Sequence, residues 1–161
     1  MVFCLLAAAC DPGTSTPAPP KVQTPTNQQL ARQALAEFFE HLNAGRYQEA
    51  SKFYGGSYEV LADQNPTLDP QDHAALLRSA CTANGFQCLR VRSVRLQEPV
   101  ASQAEFRFLV EFSTFDGELF VRGPCCGASE TDMPSQSEFS FAVVLNESGG
   151  YRVQDLPVYV P

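Results

Sequence analysis

The chain contains no tryptophan, two histidines and two methionines, and its 11 basic residues are outnumbered by 18 acidic ones. Each shortage excludes something. With two histidines, and neither of them next to a cysteine, zinc-ligand spacing such as C-x-x-C with neighbouring imidazoles is missing. A net charge of -7 repels phosphate backbones, so no nucleic acid is expected as a partner. The same charge disfavours electrostatic adsorption to anionic lipid. No apolar run approaches the about 20 residues that a membrane-spanning helix needs. What remains is a 161-residue chain rich in phenylalanine, with 12 Phe, which suits one domain with an aromatic core.

Residues 1–9 read MVFCLLAAA, wholly apolar, and Cys10 follows directly. A run this short matches the end of a signal-peptide apolar region. Ala7, Ala8 and Ala9 before a cysteine resemble the lipobox of bacterial lipoproteins. That resemblance implies a diacylglycerol on Cys10, removal of residues 1–9, and Cys10 as the first mature residue. Residues 14–27 are rich in Pro and Thr, with Pro17, Pro19, Pro20 and Pro25, and have little to bury. As polyproline II they would hold a domain up to roughly 50 Å from the lipid, at about 3.1 Å per residue. Buried acyl methylenes, at about 0.8 kcal/mol each, would supply the anchoring. The expected organisation is therefore a signal remnant (1–9), a lipidated cysteine with a tether (10–27), and a folded domain (28–161). The expected location is the extracytoplasmic side of a bacterial membrane, within the cell envelope.

From residue 28 the pattern changes. Leu30, Ala31, Ala34, Leu35, Phe38, Phe39 and Leu42 recur at helical spacing, with Asn27 as cap and Gly45 as stop. Residues 46–54 form a second short helix with Tyr47, Ala50, Phe53 and Tyr54. A third runs from about Pro70 to Cys81, capped by Asp69, with Leu76, Leu77 and Ala80 inward. After Gly85 the period becomes two. Phe106, Phe108, Val110 and Phe112 share one face, as do Phe139, Phe141, Val143 and Leu145. The phase change between Val91 and Val94 implies a bulge near Arg92 and Ser93. Residues 119–121 read as a short strand, and Ser148-Gly149-Gly150 as the last hairpin turn before a strand over 151–159. Helices followed by an antiparallel sheet make an α+β domain.

Glu105, Glu111 and Glu138 fall on the opposite phase of the strands and read as a solvated face. Asp116 and Asp155 sit near turns or strand ends, and His41 and His73 at helix ends. Tyr54, Tyr58, His73 and Tyr151 are the residues expected to line any pocket. Cys81, Cys88, Cys125 and Cys126 suit an oxidising compartment, and four cysteines allow three connectivities. Adjacent cysteines rarely bond each other, so the expected pattern joins Cys125 and Cys126 separately to Cys81 and Cys88. The alternative is a redox-active pair at Cys125 and Cys126. No metal and no cofactor is expected.

The stretch ALAEFFEHLNAGRYQEASKFY, with Tyr47, Ala50 and Tyr54 in its second helix, resembles the opening of nuclear-transport-factor-2-like domains. The resemblance covers about residues 28–160. It implies N-terminal helices packed on a strongly curved antiparallel sheet, together forming a cone. That superfamily holds isomerases, cyclases, dehydratases and non-catalytic binding modules, so fold alone does not give function. Because the Phe-rich sheet face offers no acid or base, a domain that binds a small ligand or an envelope protein without catalysis is expected, as a monomer or weak dimer. The alternative is a small isomerase or cyclase using Tyr54, Tyr58, His73 and Asp72.

Overall fold

A computed structural model describes residues 25–97 and 102–161. The apolar run, Cys10 and nearly all of the tether lie outside the described residues. Helix α1 spans Asn27–Asn43 and buries Ala31, Ala34, Leu35, Phe38, Phe39 and Leu42. The three- and four-residue spacing puts these on one stripe. Leu30, expected on that stripe, is 40% exposed at its edge. The N-cap lies one residue earlier than expected, so Asn27 is the first helical residue. Thr26 is the N-cap and forms a capping box with Gln29, because its hydroxyl can accept from the Gln29 backbone while the Gln29 side chain reaches back.

Helix α2 (Tyr47–Ala50) runs into a single 3-10 turn at Ser51–Phe53. A short helix, α3 (Glu59–Gln64), was not legible in the periodicity, since only Leu61 of its six residues is buried. Helix α4 spans His73–Thr82 rather than starting at Pro70. Its cap is Asp72, whose carboxylate accepts from the Ala75 backbone at 3.0 Å. Asp69 instead accepts from the Gln71 backbone, in the turn before it.

Strands β2 (Arg90–Leu96), β3 (Glu105–Ser113), β4 (Phe139–Leu145) and β5 (Tyr151–Val153) form an antiparallel meander in that order. The expected bulge is present as a register shift between Val91 and Ser93. Residues 119–121 do not form a strand. They make only an isolated bridge, Ser113 to Leu119, and a bond from Phe120 N to Phe112 O, before Gly123 and Pro124 end the pairing. The final strand is likewise split. After β5 the chain leaves the sheet near Pro157, which has no N–H to give a ladder. Residues Val158–Tyr159, strand β6, pair instead with β1 (Phe86–Gln87). Gly85 makes that pairing close: its φ is +79°, and an added Cβ would strike the Val160 carbonyl.

The fold is α+β, with helices on one face of the four-stranded sheet. Phe38, Phe39, Phe108 and Phe112 are almost completely buried between the layers. Phe39 meets Phe38, Phe112 and Phe141 edge-on, at centroid distances of 5.1, 4.8 and 4.9 Å. Such edge-to-face pairs add about 0.5–1.5 kcal/mol each beyond area burial. On the outer face Glu138 pairs with Arg95 at 2.8 Å, Glu111 accepts from Ser93, and Glu105 lies 3.5 Å from Arg107. That face is wet, as the strand phase requires.

The cysteine connectivity differs from expectation. Cys81 is bonded to Cys88, with Cα atoms 5.4 Å apart. Cys81 lies in the last turn of α4 and Cys88 follows β1, and the positive φ of Gly85 folds the intervening chain back so that the two meet. Cys125 and Cys126 are therefore not cross-linked to them; both are free thiols.

Candidate functional site

Three of the four expected pocket residues meet, but they pack against one another instead of framing an opening. Tyr54 stacks on Phe38 at 5.8 Å, Tyr58 meets Tyr54 edge-on at 4.9 Å, and His73 lies flat on Tyr58 at 3.8 Å. The double glycine between the tyrosines permits this. Gly55 N donates to Val153 O, and a Cβ on Gly56 would collide with the Gln154 carbonyl and the Tyr54 ring. The Tyr54 hydroxyl donates to Ser57 O at 3.0 Å. The Tyr58 hydroxyl is buried and has no hydrogen-bond partner among the described residues. Burial pushes the Tyr54 hydroxyl far above the ordinary phenol range, with Tyr58 and Asp155 adding to it. Burial pushes Tyr58 up to about 12, against a lowering effect of Arg152. Both phenols are thus held neutral, and neither acts as a base near neutral pH.

Asp72 is occupied as the α4 cap. Asp155 accepts from the Ala142 backbone at 2.6 Å, pinning the chain where it leaves the sheet. His41 accepts from Arg46 at 2.9 Å and lies against Phe53. Asp116 belongs to an exposed turn. Tyr151 belongs to a different cluster. Its ring packs on Phe106 and its hydroxyl donates to Gln103 O at 2.7 Å, and burial raises its pKa.

An apolar cleft among the described residues lies elsewhere. Phe120, Val121, Met133, Tyr159 and Val160 line a groove of about 510 Å³, with Cys125 and Cys126 at its rim. Val121, Met133 and Tyr159 are 49, 38 and 45% exposed. The groove forms where the chain, still bonded to β3 at Leu119 and Phe120, turns to pair Arg122 with Gln136, while β6 crosses to β1, which leaves two apolar segments side by side. Local sequence could not place these two segments together, since 36 residues of numbering separate Gly123 from Tyr159. The unusual Gly-Pro-Cys-Cys-Gly run was the one available signal. Three further grooves among the described residues are more polar; one is lined by Leu30, Gln33, Glu37, Lys52, Tyr151 and Arg152, so Tyr151 does border a groove as expected. No group of three or more His, Cys, Asp or Glu side chains among the described residues is arranged to hold a metal ion. No described helix is long and apolar enough to cross a membrane. No protein-family model matches this chain, and no curated protein is significantly similar to it.

Proposed function

We propose that the chain is a lipoprotein, tethered through Cys10 to the extracytoplasmic side of a bacterial membrane, whose domain is a nuclear-transport-factor-2-like cone that binds a small apolar ligand without catalysis. The groove between residues 120–126 and the C-terminal strand carries the binding half. Its volume of about 510 Å³ lies within the range of small-molecule sites, and its lining is mostly aliphatic and aromatic. The helix-then-sheet order and the Tyr47, Ala50, Tyr54 pattern support the cone, and the Ala-Ala-Ala-Cys run followed by a Pro/Thr spacer supports the anchor. The domain interior is occupied by interlocked phenylalanine rings, and the Tyr-His cluster is stacked shut, so the ligand is taken at the surface.

Titration with a fluorescent apolar probe tests the binding site. One saturable site is expected, and Val121→Glu should weaken it by about tenfold or more, because a carboxylate in an apolar cleft costs at least the 1.4 kcal/mol that tenfold represents. Undiminished affinity in that variant would remove the groove from the proposal. If instead only a co-purifying protein occupied the groove, the partner would be macromolecular.

A further inference from the structure

We propose that Cys125 and Cys126 form a reversible vicinal disulfide, and that the pair is a thiol–disulfide exchange site whose substrate is a low-molecular-weight disulfide. The two Sγ atoms lie 2.7 Å apart. That is inside comfortable non-bonded contact for two sulfurs, and a modest movement from the bonded distance of about 2.05 Å. Side chains of adjacent residues ordinarily diverge. Here they converge because Cys126 has φ +61°, the one positive φ at a non-glycine position among the described residues. Backbone held in that region persists only where the surroundings enforce it, and such strain concentrates at functional positions. Pro124 and Gly127, with φ +86° at the glycine, flank the pair and fix the turn.

The molecule offers its own contrast. Cys81 and Cys88 are bonded, with Cα atoms 5.4 Å apart, and pack against the core. Adjacent cysteines have Cα atoms about 3.8 Å apart across a trans peptide, below the usual disulfide range. A ring closed at that separation is strained, and it sits at the surface, where Cys126 is exposed. Strained and exposed disulfides have the more oxidising potentials and are the labile ones. One pair is therefore structural and the other exchangeable.

The exchange balances with a disulfide RSSR as oxidant. The Cys126 thiol loses its proton, and its sulfur attacks one sulfur of RSSR. The S–S bond of RSSR breaks, RS⁻ leaves and takes that proton as RSH, and a Cys126–SR mixed disulfide remains. Cys125, deprotonated in turn, attacks the Cys126 sulfur, the ring closes, and the second RS⁻ takes that proton. Two protein thiols are oxidised and one RSSR becomes two RSH. The Cys126 thiol donates a hydrogen bond to Cys125, which raises its pKa above the ordinary thiol value. The forward reaction accordingly quickens as pH rises, since the thiolate is the nucleophile.

Trypsin makes the test direct. Cleavage after Arg78, Arg90, Arg122 and Arg152 places Cys81 and Cys88 in peptide 79–90 and Cys125 and Cys126 in peptide 123–152. The full chain is equilibrated in glutathione buffers of increasing oxidised fraction, alkylated and digested. The expected result is that peptide 123–152 passes from doubly alkylated to an unalkylated species lighter by two hydrogens, while 79–90 stays closed throughout. In Cys125→Ser, Cys126 should accumulate as the glutathione mixed disulfide. The proposal is overturned if peptide 123–152 stays alkylated or doubly glutathionylated in the most oxidising buffer. It is equally overturned if that peptide cross-links to 79–90, or if its ring opens only where the Cys81–Cys88 bond does.

Discussion

Phe39 shows what one side chain does here. It is completely buried and touches Phe38 on its own helix and Phe112 and Phe141 on two strands, so it joins both layers. Phe39→Ala should cost about 3–5 kcal/mol, read as a fall in urea midpoint with an unchanged m-value. A loss under about 1 kcal/mol would mean the layers do not close on that ring. Its burial was legible, because helical spacing assigns Phe39 to the inward stripe. The stacking of His73 on Tyr58 was not legible, because it joins residues 15 positions apart across two unrelated turns. Those tyrosines carry a pH signature. The folded pKa of Tyr58 is raised from 10.0 to about 12, so the folded state keeps a proton that the unfolded chain loses first. The stabilisation is complete below pH 10 and is lost as pH rises through about 12. Urea unfolding across that window should show stability falling with pH, and Tyr58→Phe should flatten the fall. An identical fall in Tyr58→Phe and in Tyr54→Phe would place its origin elsewhere.

Among the elements, ends and edges diverged most from expectation, and interiors least. Periodicity reports which residues face inward, whereas a boundary depends on which side chain reaches an orphan N–H. Thr26 and Asp72 won those positions over Asn27 and Asp69. Thr26→Ala should therefore destabilise the domain by about 1 kcal/mol, against a few tenths for Asn27→Ala, in paired denaturation curves. Equal effects would contradict the capping box. The Cys81–Cys88 bond ties α4 to β1 across a separation of seven residues. Closing so short a loop is worth about 2–3 kcal/mol through the unfolded chain. The Cys81→Ala, Cys88→Ala double variant should lose about that much, by the same measurement, and retain its fold. The segment 119–121 had strand-like composition yet found one bridge only, since Gly123 and Pro124 cut its ladder and β4 already occupied that side of β3.

At the scale of the whole molecule, the proposed anchor at Cys10 predicts that membrane attachment and folding are separable. Cys10→Ser should move the protein from the membrane fraction to the soluble one, while the thermal unfolding midpoint stays where it was. A variant that still partitioned wholly with membranes would refute the lipid anchor. By itself the sequence determined the α+β order, the inward Phe faces of α1, β3 and β4, the bulge in β2 and the wet carboxylate face, because each follows from a local repeat of side-chain direction along the backbone. Only the tertiary structure decided which cysteines meet, how Tyr58 stacks on His73, and that residues 120–126 and 159–161 enclose an apolar groove. Those are encounters between distant segments, and they depend on where Gly55-Gly56, Gly85 and Pro157 redirect the chain, which no periodicity encodes.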